Sequence, residues 1–551
     1  VLGSRGLGDV YKRQLKYHEE YYHPSNSYIY IYGDMDVNER LEYLDREYLS
    51  DFDVSDVDIH ANIERQAAFD KPVYETKPYA ITEDESLEDN TYLSYNAVIG
   101  TSVDAKLYLA FQILDYALVM TPGAPVKQAL LDAGISTDVY SSYETSLYQP
   151  VYSIVAKNSN SKEQDRFVSV INDTLEKLVK DGINERTIEA GINYYEFKYR
   201  EADYGPYPKG LMYYLTMMDS WLYDETKPFI HIEAGDTFDE LKKNARNGYF
   251  EKLIKEYLLD NNHKSIISLV PEYGLEKEKE QKEADKLAEY KSTLTNDELE
   301  ELVKKTKELK EYQDTPSSQE DLEKIPMLEL SDIKREPAKD YNDVKSVDGI
   351  KIVHHNIFTN KIAYINMSFD TKCVPDELIP YMGLLGSTLS LMDTKNYTYP
   401  ELTNEININC GGLATGTALY SDKVDFSKNT IVYEVKSKAL YEKVPFVLGM
   451  MEEIMYNTRF DDYKRLKEII ARIKSRLEAS LMGQGHSIAM LECCAQFSES
   501  AYYSDILRGY KYYEFIKKLD EEFEQNKTQI VDKLNKLVGY ILSLIHISEP
   551  T

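Results

Sequence analysis

Cysteine is scarce in this sequence. Four occur in 551 residues, at Cys373, Cys410, Cys493 and Cys494. Adjacent Cys493 and Cys494 are poorly placed to bridge each other, because disulfides have demanding geometry. No Cys-x-x-Cys pair exists, which argues against cysteine-based zinc or redox sites. This usage suits a reducing compartment, and a cytoplasmic location is the expectation. Positive charge is also in short supply: 64 Lys and Arg stand against 95 Asp and Glu, for a net charge of −31. A surface that acidic repels phosphate backbones, so nucleic-acid binding is not expected. Two uses of the charge remain, colloidal solubility or an acidic chamber that attracts basic peptides. No run of about 18 apolar residues is present, so no membrane-spanning segment is expected. What is there, 42% hydrophobic and 29% charged residues, is the balance of a globular chain long enough for two to four domains.

The two ends differ in character from the rest. Val1 to Gln14 carries three basic residues and one acidic one in a strongly acidic chain, and Leu542 to Thr551 reads LSLIHISEPT. Both strings resemble translated sequencing-adapter sequence, and the fold argument sets residues 1–14 and 542–551 aside. The competing reading is a basic arm and a genuine last strand. If the adapter reading holds, both native termini lie outside the chain.

Between the ends, similar patterns recur. His23-Pro24-Ser25-Asn26 supplies turn chemistry before Tyr28-Ile29-Tyr30-Ile31-Tyr32, an aromatic and β-branched run that predicts a strand ending at Gly33. Asp260 to His263 precedes a second such run, Ser265 to Val270. Thr91 to Val98 predicts a strand, then Ala105 to Met120 a helix that Pro122, Gly123 and Pro125 break, then a short helix leading to Gly134. Ala363 to Phe369 is again a strand pattern, followed by a helix from about Asp376 to Met392 and a short helix from Tyr399 to Gly411-Gly412. Both stretches continue into strands and long amphipathic helices, at Glu163 to Lys180, Glu185 to Glu201 and Asp461 to Leu481. The economical account is an α+β fold with two homologous sheet-plus-helices domains. Between them, Leu275 to Ser292 and Asp297 to Tyr312 are built of strong helix formers with opposite charges at helical spacing. Thr295 with Glu298 fits a capping box at the second helix. A helical hairpin is predicted, with a plain solvated linker as the bland alternative.

Several of these segments carry a family likeness. They are Tyr22 to Asn26 with its strand and Gly33, Phe197 to Glu201 with Tyr204 to Leu211, the charged hairpin, and Ile325 to Ile333. The ordered set, spanning about Leu15 to Leu542, resembles the insulinase (pitrilysin) family of zinc peptidases in its presequence-protease branch. The resemblance implies four similar α+β domains in two halves around a chamber. On that map residues 15–55 are the tail of the catalytic first domain and 56–272 the second domain. Residues 273–324 are the helical-hairpin linker, and 325–541 an incomplete third domain. The N-terminal catalytic domain and the fourth domain of the same polypeptide would be missing.

The family's zinc motif, His-x-x-Glu-His on a helix, places two histidines on one side with a Glu to activate water. None of the nine histidines sits in that motif or in His-Glu-x-x-His. The near miss, His18 to His23, has a five-residue spacing that turns the rings apart on a helix, with Pro24 following at once. His354-His355 lies in a strand pattern, where neighbours face opposite ways. His231 and Glu233 share a face, but two ligands are thin evidence for a metal. His486, near Gly483 and Gly485, reads as a loop histidine. In the third domain the helix matching the zinc helix reads Pro380-Tyr381-Met382-Gly383-Leu384-Leu385 and offers no ligand. No Gly-x-Ser-x-Gly elbow appears, and Gly411-Gly412-Leu413-Ala414-Thr415-Gly416 lacks the Lys of a phosphate loop, reading instead as a bend between helix and strand. Tyr194, Tyr195, Tyr199, Tyr213 and Tyr214 read as amphipathic packing, with an aromatic lining for unfolded peptides as the alternative.

No catalytic, metal-ligating or substrate-binding residue is therefore assigned in this chain. Zinc is expected in the full-length parent and not in this piece. The expectation is a fragment of a zinc metalloendopeptidase that degrades short unfolded peptides in a chamber. Oligopeptides would be its substrates, and neither nucleic acid nor membrane its partner. The alternative is a non-catalytic peptide-binding or scaffolding subunit of the same fold.

Overall fold

The computed structural model describes residues 7–54, 63–336, 341–425 and 427–542. Its contacts divide the chain into two units: Val1–Glu19 with Ala80–Glu83 and Glu272–Asn360, and Glu20–Tyr79 with Asp84–Pro271 and Lys361–Thr551. Helices α1 (Leu7–Tyr21) and α2 (Val37–Glu47) precede a five-stranded sheet. Its strands are β1 (Val73–Ile81), β2 (Thr91–Val98), β3 (Asp138–Glu144), β4 (Val151–Ser159) and β5 (Lys264–Tyr273), in the order β1-β5-β2-β4-β3. Strand β2 is central because its alternate residues Thr91, Leu93, Tyr95 and Ala97 are all buried on one face, the period-two signature of a half-buried strand. It pairs antiparallel with β4 on one side and β5 on the other.

Helix α3 (Ala105–Asp115) starts where the Asp104 carboxylate accepts a hydrogen bond from the Leu107 amide, satisfying one free N–H of the first turn. It is apolar nearly all round and accordingly buried, widens into a π turn over Tyr116–Met120, and stops before Pro125 opens α4 (Pro125–Asp132). Ala105–Asp132 is long and apolar enough to cross a membrane by composition, but 72% of its most apolar window is buried inside the protein, as in a core helix. In α5 (Gln164–Asp181), Phe167, Ile171 and Leu175 recur every four residues and are the buried stripe. Helices α6 (Glu185–Glu201), α7 (Lys209–Trp221), α8 (Gly235–Asn244) and α9 (Tyr249–Leu253) complete this first repeat around one core.

The other unit contains α10 (Leu275–Thr293), α11 (Asn296–Asp314), α12 (Gln319–Glu323) and a hairpin of β6 (Asn342–Val347) with β7 (Ile350–His355). The predicted capping box is present: the Glu298 amide donates to Thr295 Oγ1 at 3.3 Å and the Thr295 amide to Glu298 Oε2 at 2.8 Å. Neither α10 nor α11 buries a residue. Charge pairs such as Lys282–Glu278 and Lys305–Glu301 run along their faces.

A second repeat follows, with β8 (Ile362–Asp370), α13 (Ile379–Thr388), α14 (Tyr399–Asn409), β9 (Leu413–Ser421), β10 (Asn429–Leu440), α15 (Val444–Asn457) and α16 (Tyr463–Gly483). The order of its sheet, β8-β10-β9, reproduces β2-β4-β3 of the first. The passage from β4 to α5 and that from β10 to α15 also each run through one 3-10 turn, Ser161–Glu163 and Tyr441–Lys443. Helices α17 (Gly485–Cys494), α18 (Glu499–Arg508), α19 (Tyr510–Glu521) and α20 (Phe523–Leu542) close a separate core.

Three sequence expectations need correction. Tyr28 to Tyr32 is extended but belongs to no sheet among the described residues; its rings turn instead onto α7. The helix expected to reach Met392 ends at Thr388, because Ser390 turns the chain at a φ of +69°. His486 lies in the first turn of α17 rather than in a loop.

Candidate functional site

Three of the described histidines, His231, His23 and His263, are held by named neighbours. His231 is buried, its Nε2 lies 2.8 Å from the Ser102 carbonyl, and its ring stacks on Tyr108 at 3.9 Å. Burial pushes its pKa down to about 4, so at neutral pH it is an uncharged core residue. Glu233 does not share its face: both lie in a turn, and Glu233 is exposed. His23 Nδ1 accepts from the Ser25 amide at 3.2 Å and so caps the turn that follows α1. His263 packs edge-on to Phe69 at 4.6 Å, and burial lowers its pKa. His354 and His355 are the last residues of β7, facing opposite ways and exposed. His60 and His546 lie outside the described residues. In α13, Tyr381, Met382, Leu384 and Leu385 are core. Gly411-Gly412 does join α14 to β9 as a bend.

Two features remain. The first is an aromatic groove of about 670 Å³ between the Tyr28–Tyr32 segment and the start of α7, lined by Tyr28, Tyr30, Tyr32, Pro208, Leu211 and Tyr214. Tyr28 packs on Trp221 at 4.5 Å, Tyr30 on Tyr214 at 5.3 Å and Tyr32 edge-on to Tyr213 at 5.8 Å. Gly210 permits this approach, since a Cβ there would stand 2.5 Å from the Tyr32 ring. The tyrosines named from sequence thus divide. Tyr195 is packed against the first core, and Tyr199 donates to the Ile232 carbonyl at 2.8 Å. Tyr194 lies against Tyr116 at 5.4 Å, while Tyr213 and Tyr214 meet the extended segment. The groove offers tyrosine rings with hydroxyl handles beside a segment that belongs to no sheet among the described residues.

The second feature is the seam where the two repeats meet, inside one unit, with α6 packed along α14. It is polar. Asn407 Nδ2 donates to Tyr116 Oη at 2.6 Å, Asn404 Nδ2 to Thr187 Oγ1 at 3.0 Å, and Arg186 pairs with Glu405. At one end Lys438 donates to both oxygens of Glu201, at 2.8 and 2.6 Å, and Tyr364 Oη donates to Oε1 at 2.8 Å. Lys464 meets Asp132 at 2.6 Å at the other. Phe197 fills the space over Gly411, where a Cβ would fall on its ring. Sequence reading missed this network because its partners are more than 160 residues apart and none is part of a local motif.

Among the described residues no three His, Cys, Asp or Glu side chains are grouped to hold a metal ion. They offer zinc no fitting donor set, and no step through a metal is drawn from them. A family profile for the peptidase M16 inactive domain matches residues 10–195. A second profile, for the region associated with subfamily C of the same peptidases, matches residues 269–519. Protein HypA of Clostridium perfringens is 39% identical over 534 residues, covering 97% of this chain and 54% of that protein. Presequence protease 1, chloroplastic/mitochondrial, of Arabidopsis thaliana is 31% identical over 520 residues, covering 92% of this chain and 48% of that protein. The crystal structure of pitrilysin aligns over 96% of this chain and 55% of its own, with a TM-score of 0.43 and 13% identity. The chain spans about half the length of the curated relatives it matches. It belongs to the insulinase (M16) peptidase family, as a presequence-protease-like member.

Proposed function

We propose that this chain supplies non-catalytic chamber domains of a longer zinc metalloendopeptidase that degrades short unfolded peptides. The observation that carries the reading is the pattern of likeness: relatives that match 92% to 97% of this chain have about half their length left over. In this reading residues 15–55 end a catalytic domain, and residues 56–272 and 325–541 are walls of two chamber halves. Residues 273–324 join them. Zinc then belongs to a domain of the parent that precedes residue 15. The part played by this chain is to hold substrate: the groove at Tyr28–Tyr32 accepts extended peptide through rings and backbone. A cytoplasmic location goes with this proposal.

The test has two arms. The complete reading frame, recovered from unassembled DNA, is expected to encode a His-x-x-Glu-His helix upstream and to yield a product that cleaves an unstructured fluorogenic peptide, with cleavage stopped by a chelator. A complete frame without that helix, whose product binds peptide but cleaves none, would replace this reading with the scaffolding one. The 551-residue chain with added zinc is expected to be inert, and chelator-sensitive cleavage by it would show that the histidines have been misread.

A further inference from the structure

In a chain with 95 acidic residues, four cations gather with few carboxylates. Arg465, Arg472 and Arg476 lie on one stripe of α16, spaced by two turns and then one. Lys127 of α4 faces them from the other side of the seam, close enough that the three arginines help to lower its pKa, as Arg476 and Arg465 help to lower that of Arg472. The helices are held in place by the Lys464–Asp132 pair and by Tyr399 of α14, whose hydroxyl donates to Gln128 Oε1 at 3.4 Å. Carboxylates that act on the cluster are Asp138, at the start of β3, and Glu468.

Glu468 is already engaged, at 3.0 Å from Arg465 Nη1. Arg465 is 7% exposed, donates from Nε to the Leu391 carbonyl at 3.0 Å, and lies over the Tyr399 ring at 4.1 Å. Its Nη2 is buried and has no acceptor among the described residues. Lys127 and Arg472 are half-buried, and neither forms a hydrogen bond or ion pair with a described residue. Burial, then the neighbouring arginines, holds the Lys127 ammonium down to about 8, and the same causes hold Arg472 down to about 10. Buried charges are ordinarily paired. Here four cations face two carboxylates, which leaves two positive charges uncompensated where the seam reaches the surface at exposed Arg476.

We propose that Lys127, Arg465, Arg472 and Arg476 form a binding site for a phosphoryl-type dianion at the seam between α4 and α16. A dianion matches the uncompensated charge, whereas a single peptide carboxylate leaves one cation unpaired. Guanidinium forks suit tetrahedral oxyanions, and Lys127 adds a point charge. Because it bridges both repeats, the site would tighten the seam when filled.

The test uses the full 551-residue chain, with ionic strength held constant by sodium chloride. Inorganic phosphate is expected to raise the thermal midpoint in a saturable way and to bind measurably by calorimetry. Lys127→Gln and Arg472→Gln are each expected to weaken phosphate binding about tenfold or more, the scale of one charge-assisted bond. In phosphate-free buffer both variants should be at least as resistant to urea as the parent, because each removes an uncompensated cation. ADP is the second ligand: if it competes with phosphate the site takes an attached phosphoryl group, and if it does not the site takes the free ion. Three results would overturn the proposal: chloride alone reproducing the shift, Arg472→Gln retaining full phosphate affinity, or a peptide with a free carboxylate binding more tightly than phosphate.

Discussion

Glu201 is the residue through which the seam can be tested most directly. It ends α6 of the first repeat, its side chain is 5% exposed, and all three of its hydrogen bonds go to the second repeat. Removing it in Glu201→Ala deletes three charge-assisted bonds and leaves the Lys438 ammonium without its counter-charge. Breaking a buried pair from one side costs about 3–5 kcal/mol. Lys438 is 31% exposed, so water recovers part of this, and a loss of about 2–3 kcal/mol is expected. Lys438→Met should lose at least as much, since it strands the more deeply buried Glu201 carboxylate with only the Tyr364 hydroxyl. The double variant should recover about 1 kcal/mol or more of the sum, as partners in contact do. Urea unfolding can be followed by far-UV circular dichroism, which sees both repeats, and by the single tryptophan, Trp221, which lies in the first. In the parent the two signals should change together. In Glu201→Ala the second repeat should unfold at lower urea than the tryptophan transition, because the two cores share no residue and the seam couples them. Strict additivity of the two single variants, or an unmoved circular-dichroism midpoint, would refute the reasoning.

Gly411→Ala should cost about 1–3 kcal/mol by overpacking, because the new Cβ falls on the Phe197 ring. Phe197→Leu in the same chain should restore part of the urea midpoint if this contact is the cause. His231 makes stability depend on acid. Its folded pKa of about 4 lies below the usual value of 6.5, so the unfolded chain binds the extra proton between those limits. Its contribution is fully present above pH 6.5 and is lost as pH falls towards 4, by about 3 kcal/mol in all. His231→Phe should flatten the difference between urea midpoints at pH 7 and pH 5, while losing about 1–3 kcal/mol at pH 7 through the unpaired Ser102 carbonyl. A parent whose midpoint does not change over that range would remove His231 as an acid sensor.

Local patterns carried most of the elements. Thr91–Val98 and Glu185–Glu201 were legible to the residue because strand alternation and helical spacing are properties of neighbours in the chain. The Thr295–Glu298 box was legible for the same reason. Tyr28 to Tyr32 had the composition of a strand, but a strand needs a partner, and pairing is a long-range fact that composition does not hold. Ser390 ended a helix early at a left-handed position for which the sequence offers no glycine. His231 and Glu233 would share a face only on extended backbone; a turn separates them.

The seam was illegible for a deeper reason, and the reason bears on what the seam does. A hydrophobic core announces itself by periodicity, since each element must turn one apolar face inward. The seam is built from Glu201, Asn404, Asn407, Lys438 and Lys464, residue types that any solvated face would carry. Such a surface is compatible with water when separated, because each of its groups exchanges a protein partner for a solvent one at a net cost of about 1 kcal/mol apiece. A seam of leucines would be held shut by the apolar area it hides. A seam of amides and ion pairs can part and close again without exposing either core. Interfaces of that polarity are the ones across which domains move. Each repeat has its own core, with Phe111, Phe167 and Phe250 in one and Tyr433, Leu466 and Phe523 in the other, and the two share no residue.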